Sequence, residues 1–354
     1  MLIQSFRMLP VFDKNHHAFR KYLNKNVVER NMNMLKPLKM KPTFKNYIWG
    51  GQNLKKVYGK DNAGENIAES WEVSSREEGL SYVAEGEDEG LTIKQLMQKY
   101  GKDFCGESID EKEEFPLLFK LIDANDKLSI QVHPDDDYAY INENQSKGKT
   151  EAWYVLHAEP GSFLIYGFNE QLEKTQLREI LKNGNEIEKY LNKVECKKGD
   201  CFFIQAGTIH AIGAGLIIAE IQQNSNITYR LYDYNRRDKN GNLRELHIEK
   251  SLDVISLEKQ AGTGKVQKFF ESDGDNLISK TIANKYFCME EIMVKSTYQS
   301  STNSLLNILF IAEGHFKLGD MFCNEGDSII IPAGMGEYIL EGQGTVLKFY
   351  VPKQ

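Results

Sequence analysis

From Lys41 onward the chain is written in short apolar bursts, each closed by turn residues. YIWGG, SWEVSS, SYVAEG and FPLLFKLI come first, and LSIQVH, EAWYVLH, SFLIYGF, CFFIQ, LIIAEIQ and ITYRLYDY follow between 115 and 250. Runs of this kind, separated by Gly, Asn and Asp, predict strands of an antiparallel sandwich or barrel. Two stretches depart from the pattern. Over 92–103, Ile93, Leu96, Met97 and Tyr100 recur at helical spacing behind Thr92, a natural N-cap. A second helical stretch spans 171–192 and is interrupted at Asn183-Gly184. After about 260 another strand series begins (FCMEEIMV, LLNILFIAEG, DSIIIPAG, TVLKFYVP), and no glycine loop for nucleotide phosphates accompanies it.

One phrase occurs twice. Residues 199–212 read GDCFFIQAGTIHAI and residues 326–339 read GDSIIIPAGMGEYI, with six identities in fourteen positions. Repetition at an offset of 127 residues is what two copies of one β-barrel domain would produce. The first copy carries His210, and the second carries Glu337 in its place.

Composition narrows the function. The 354 residues hold 44 basic and 51 acidic side chains, a net charge of −7 that argues against a nucleic-acid partner. No run approaches a membrane span. The five cysteines are odd in number and form no C-x-x-C pair, which reads as reduced thiols in the cytoplasm. Residues 1–33 differ from the rest: six Lys/Arg against two Asp/Glu give about +4 and leave about −11 for the remainder. They read as a disordered leader or an upstream-start extension, with no signal-peptide core.

A lone histidine after a turn is usually structural, but His210 has company. LSIQVHPDD places Gln131 and His133 two apart on a strand, hence on one face. Glu151 opens the strong strand EAWYVL eighteen residues later. Two imidazoles and a carboxylate, with an amide oxygen as an optional fourth donor, suit Zn²⁺ or another first-row divalent ion. Asp135-Asp136-Asp137 reads instead as a solvated turn after Pro134. His157, His247, Trp49, Trp71 and Trp153 read as structural or packing groups.

His133, Glu151 and the spacing from Gly199 to His210 resemble the two halves of the cupin metal motif. More specifically, IAESWEVS, FPLLFKLIDANDKLSIQVHPDD, GKTEAWYVL, GDCFFIQAGTIHAIG, EIQQNSNITYRLYDYNR and RELHIEKSLDVI resemble the type I mannose-6-phosphate isomerases, in the family's order and closest to the short bacterial form. Gln205 departs from the usual proline, which only stiffens a turn. The resemblance implies a mainly β chain of two cupin-type jelly-roll barrels with a small helical insertion. Family-like text starts at Met34, so 34–259 is expected to be the catalytic domain and 260–354 a smaller, metal-free cupin-like domain.

The implied reaction interconverts mannose 6-phosphate and fructose 6-phosphate through an enediolate. One Zn²⁺ per chain would be held by His133, Glu151 and His210, with Gln131 the fourth candidate. Arg230 matches the family's catalytic arginine, and a guanidinium is suited to holding substrate oxygens, not to acting as a base. Lys149 and Lys120 match lysines of the pocket, and Glu69 an acidic residue there. Lys149, a water on the ion and Glu69 all remain open as the proton carrier. The implied partner is a small sugar phosphate, and the protein is expected to be a monomer or weak homo-oligomer. A binding-only cupin would have no use for Lys149 and Arg230, and a cupin dioxygenase would need a more histidine-rich site.

Overall fold

Strand Leu117–Ala124 shows how the core is organised, because all eight of its residues are buried. Side chains alternate across a strand, so full burial requires cover on both faces. Leu117, Phe119 and Leu121 pack with Ile308, Phe310, Leu347 and Phe349 from the C-terminal part of the chain. Ile122 and Ala124 pack in the opposite direction, with Trp153, Val155, Leu164, Tyr166 and Ile212. Lys120 shares that second face. Phe119 lies 5.4 Å from Phe310 and 4.7 Å from Phe349 between ring centres, and each such buried side chain contributes roughly 1.5–3 kcal/mol.

The computed structural model describes residues 35–61, 64–182, 184–238 and 240–353; the expected leader 1–33 lies outside them. Among the described residues strands dominate, in three antiparallel sheets. A six-stranded sheet runs Cys201–Ile204, Glu151–Ala158, Leu216–Gln223, Leu117–Ala124, Glu69–Val73, Thr43–Lys45. A five-stranded sheet runs Tyr229–Tyr232, Ile130–Val132, His210–Ile212, Phe163–Phe168, Leu191–Glu195. The shared apolar cluster of Trp153, Val155, Leu164 and Ile212 packs these two against each other. The third, ten-stranded sheet is built mainly after residue 270, yet strand Leu38–Lys41 joins it by pairing with Ser328–Ile331 and with Tyr82–Val83. From Pro37 onward the chain forms one compact unit.

The repeated phrase occupies matching elements. Strands Cys201–Ile204 and Ser328–Ile331 both lie in it, and each second strand starts at the diverging residue, His210 or Glu337. His210 is buried and Glu337 is exposed.

The helix expected near 92–103 is Ile93–Tyr100, with Thr92 and Gln95 forming a reciprocal capping box, followed by Lys102–Cys105. The stretch 171–192 contains Lys174–Lys182, the 3₁₀ turn Gly184–Tyr190 opened by Gly184 at φ 61°, and the start of a strand. Three short helices were not anticipated: Asn53–Tyr58, Asp136–Asn142 and Ile248–Val254. The middle one corrects the reading of Asp135-Asp136-Asp137 as a solvated turn. Asp135 caps the helix by accepting from the Tyr138 N–H at 2.9 Å, and Asp136 accepts from three groups away from its own helix. Six or seven residues are under two turns, too few for a 3.6-residue period to emerge from a strand-rich sequence.

Candidate active site

The two packed sheets bring the expected residues together between them. On the five-stranded sheet Gln131 pairs with His210 on one side and Arg230 on the other, which forms a row of three across the strands. On the six-stranded sheet Lys120 is opposite Glu220, and Glu151 is opposite Gln222. His133 follows strand Ile130–Val132 and is 1% exposed, and Glu151 and His210 are fully buried.

Each imidazole is held the same way. His133 Nδ1 lies 2.9 Å from the carbonyl of Ile227, and His210 Nδ1 lies 2.9 Å from the carbonyl of Thr208. A carbonyl only accepts, so both Nδ1 atoms carry the proton and both Nε2 atoms present a lone pair. Those lone pairs meet Glu151: His133 Nε2 is 3.5 Å from Oε2, and His210 Nε2 is 3.3 Å from Oε1. The donor atoms of the trio lie within 4.8 Å of one another. Burial holds the His133 pKa well below the usual imidazole range and moves that of His210 down to about 4, so both rings stay neutral. Burial, reinforced by Glu220, pushes Glu151 up to about 7.

The residues fit a divalent cation. Both oxygens of Glu151 are buried and accept no well-formed hydrogen bond, an arrangement that is costly unless positive charge compensates it. A cation already leans on the set: the Lys149 ammonium is 3.2 Å from Glu151 Oε2 and 3.1 Å from His133 Nε2. Gln131 is adjacent, its Nε2 3.3 Å from His210 Nε2 and its Oε1 3.4 Å from the Ser129 hydroxyl. Lys149 precedes strand Glu151–Ala158, and its ammonium reaches the Glu151 carboxylate from that position.

Gln131 and Lys149 also line a cavity of about 290 Å³, together with Glu69, Lys120 and Arg230. Lys120 is buried, 3.1 Å from Glu220 Oε1 and 3.5 Å from Glu69 Oε1. Burial opposes its charge, but Glu220 and Glu69 outweigh burial and raise its pKa, so it remains an ammonium. Glu69 accepts from the Trp71 indole at 2.7 Å. Arg230 makes no ion pair with a carboxylate among the described residues, and its buried Nε has no partner. One of its terminal nitrogens reaches only the carbonyl of Glu245, at 3.4 Å.

Several cavity residues were not singled out from the sequence. Glu220 accepts from the Trp153 indole at 2.7 Å as well as pairing with Lys120. Its signal was a charge inside the apolar run LIIAEIQ, which only a binding partner would justify. Trp49 and His247, read as structural, both border the cavity, and His247 Nδ1 accepts the Arg230 backbone N–H at 3.3 Å. Arg244 borders it too, held by Asp233 at 2.5 Å. Trp71 and Trp153 are fully buried packing groups, as read.

Residues 37–151 match the family model described as phosphomannose isomerase type I, catalytic domain, and residues 278–351 match that of the mannose-6-phosphate isomerase cupin domain. The mannose-6-phosphate isomerase ManA of Bacillus subtilis (strain 168) is 37% identical over 313 residues, spanning 86% of this chain and 96% of that protein. The crystal structure of the mannose 6-phosphate isomerase from Bacillus subtilis overlays with a TM-score of 0.81 at 32% identity, covering 89% of this chain and 99% of that one. A mannose 6-phosphate isomerase structure bound with zinc and yttrium has the same fold, with a TM-score of 0.71 at 19% identity over 90% of this chain and 100% of its own. The chain belongs to the type I phosphomannose isomerase family.

Proposed function

We propose that the protein is a zinc-dependent aldose–ketose isomerase interconverting D-mannose 6-phosphate and D-fructose 6-phosphate through an enediolate. The convergent donor set carries this reading: two imidazole Nε2 atoms and a carboxylate with no well-formed hydrogen bond, buried beside a cation-lined cavity. The relatives' names point to mannose 6-phosphate, and the zinc in the fold neighbour makes Zn²⁺ the ion we assign. One ion per chain would be held by His133, Glu151 and His210, with Gln131 the candidate for a fourth ligand. Bound there, such an ion stabilises negative charge developing on two adjacent substrate oxygens, an effect on the order of several kcal/mol.

The chain's own side chains do the rest. Arg230 binds and polarises substrate oxygens with a guanidinium that makes no ion pair with a carboxylate among the described residues. Lys120 is kept charged by its two carboxylates, so it cannot serve as a base; with Glu69 it orients the sugar. Lys149 carries the proton between C2 and C1. It lines the cavity with its head group 3.2 Å from Glu151, at the border between the donor set and the sugar.

Within this reading, the six- and five-stranded sheets form the catalytic cupin jelly roll of 34–259. The segment 260–354 is a second cupin-like domain without a metal, consistent with an exposed Glu337 where the first copy buries His210. The partner is a small sugar phosphate, not nucleic acid or a membrane; no helix among the described residues is long and apolar enough to cross one. The enzyme acts in the cytoplasm as a monomer or weak homo-oligomer. A coupled assay for fructose 6-phosphate formed from mannose 6-phosphate, with and without chelator, tests the proposal. Absence of turnover in the zinc-loaded protein, or turnover indifferent to chelation, overturns it.

A further inference from the structure

Lys149 and Glu151 stand at the end of a segment with no regular structure, so something other than a sheet ladder must hold it. Three successive amides supply the hold. Gly148 donates to Asp136 Oδ1 at 2.9 Å, Lys149 to the carbonyl of Pro134 at 3.0 Å, and Thr150 to Gln223 Oε1 at 2.9 Å. Asp136 and Gln223 are themselves joined, Gln223 Nε2 donating to Asp136 Oδ1 at 2.8 Å. Gly148 lies so close to the helix start that a Cβ would come within 2.5 Å of the Asp135 carbonyl carbon, so the contact tolerates no side chain.

The last member of this network comes from the other end of the chain. The Tyr286 hydroxyl donates to Asp136 Oδ2 at 2.6 Å. Tyr286 sits in the turn between strands Asn276–Ala283 and Cys288–Val294 of the ten-stranded sheet. Asn284 Oδ1 pins that turn by accepting from the Tyr286 and Phe287 amides, and Phe287 is fully buried. A rigid hairpin of the C-terminal sheet thus reaches the segment that presents two groups of the active site.

We propose that Tyr286 is a positioning residue for the isomerase site, acting through Asp136 and Gln223 to fix residues 148–150 and with them Lys149 and Glu151. The C-terminal region is then part of the catalytic apparatus without touching substrate. The inference rests on the proposed roles of Lys149 and Glu151.

The test compares Tyr286→Phe, which removes one hydroxyl, with Tyr350→Phe, which breaks a similar bond to Glu290 (2.8 Å) elsewhere in the same sheet. Three quantities are read: amide exchange of 148–150 in metal-free protein, zinc affinity by chelator competition, and kcat against KM. Tyr286→Phe is expected to speed exchange at 148–150 by tenfold or more, weaken zinc several-fold and lower kcat about tenfold with KM little changed. Tyr350→Phe is expected to match the wild type in all three. Wild-type exchange and kcat in Tyr286→Phe, or equal losses in both variants, overturns the inference. His133→Ala separates the two levels. If it keeps zinc and turnover, the site assignment itself falls; if it loses both while Tyr286→Phe is unaffected, only the positioning role falls.

Discussion

Arg230→Ala separates charge from architecture at the active site. The fold around this residue is secured by main-chain groups that any side chain retains: its N–H donates to His247 Nδ1, and its carbonyl accepts the His247 N–H at 2.8 Å. The guanidinium itself contributes one long bond to the Glu245 carbonyl and no ion pair with a described carboxylate. Removing it breaks little, so stability should change by about 1 kcal/mol or less. Catalysis should respond differently. A charge-assisted contact aimed at oxygens that become anionic in the transition state is worth about 3 kcal/mol, or a factor of roughly 10² in kcat. Arg230→Lys should recover only part of this, since an ammonium lacks the planar fork. The assay is steady-state isomerase kinetics with zinc content and melting temperature measured on the same preparations. A near-wild-type kcat/KM in Arg230→Ala refutes the role, and loss of zinc along with activity would make the arginine a support of the metal site.

Three further outcomes follow from the geometry. His210→Ala should lose both zinc and turnover, whereas Glu337→Ala should keep both, and elemental analysis of the wild type should find about one ion per chain. Lys120→Met should destabilise by about 3–5 kcal/mol, since it leaves Glu220 and Glu69 buried without their cation, and adding Glu220→Gln should return part of that loss in denaturant unfolding. Phe119→Ala should cost about 3–5 kcal/mol in the same measurement while leaving zinc stoichiometry intact, because its ring packs on the face opposite the site.

Local chemistry made much of this molecule readable from its sequence. The Thr92–Gln95 capping box, the two-residue spacing of Gln131 and His133 and the repeated turn phrase all express rules that operate over a few residues. Hence the helix at 93–100, the strand pattern and the His133–Glu151–His210 trio could be seen without coordinates. What remained hidden depends on partners distant in the chain. Glu220 looks like a misplaced charge until the sheet register sets it opposite Lys120. Asp136 looks like one of three solvated acids until Gly148, Gln223 and Tyr286 arrive from three other segments. Strand Leu38–Lys41 carries no mark of its partner Ser328–Ile331, because an antiparallel ladder is made by backbone groups common to every residue. Side-chain pattern determines which face of a segment is buried; only the assembled fold decides what it is buried against.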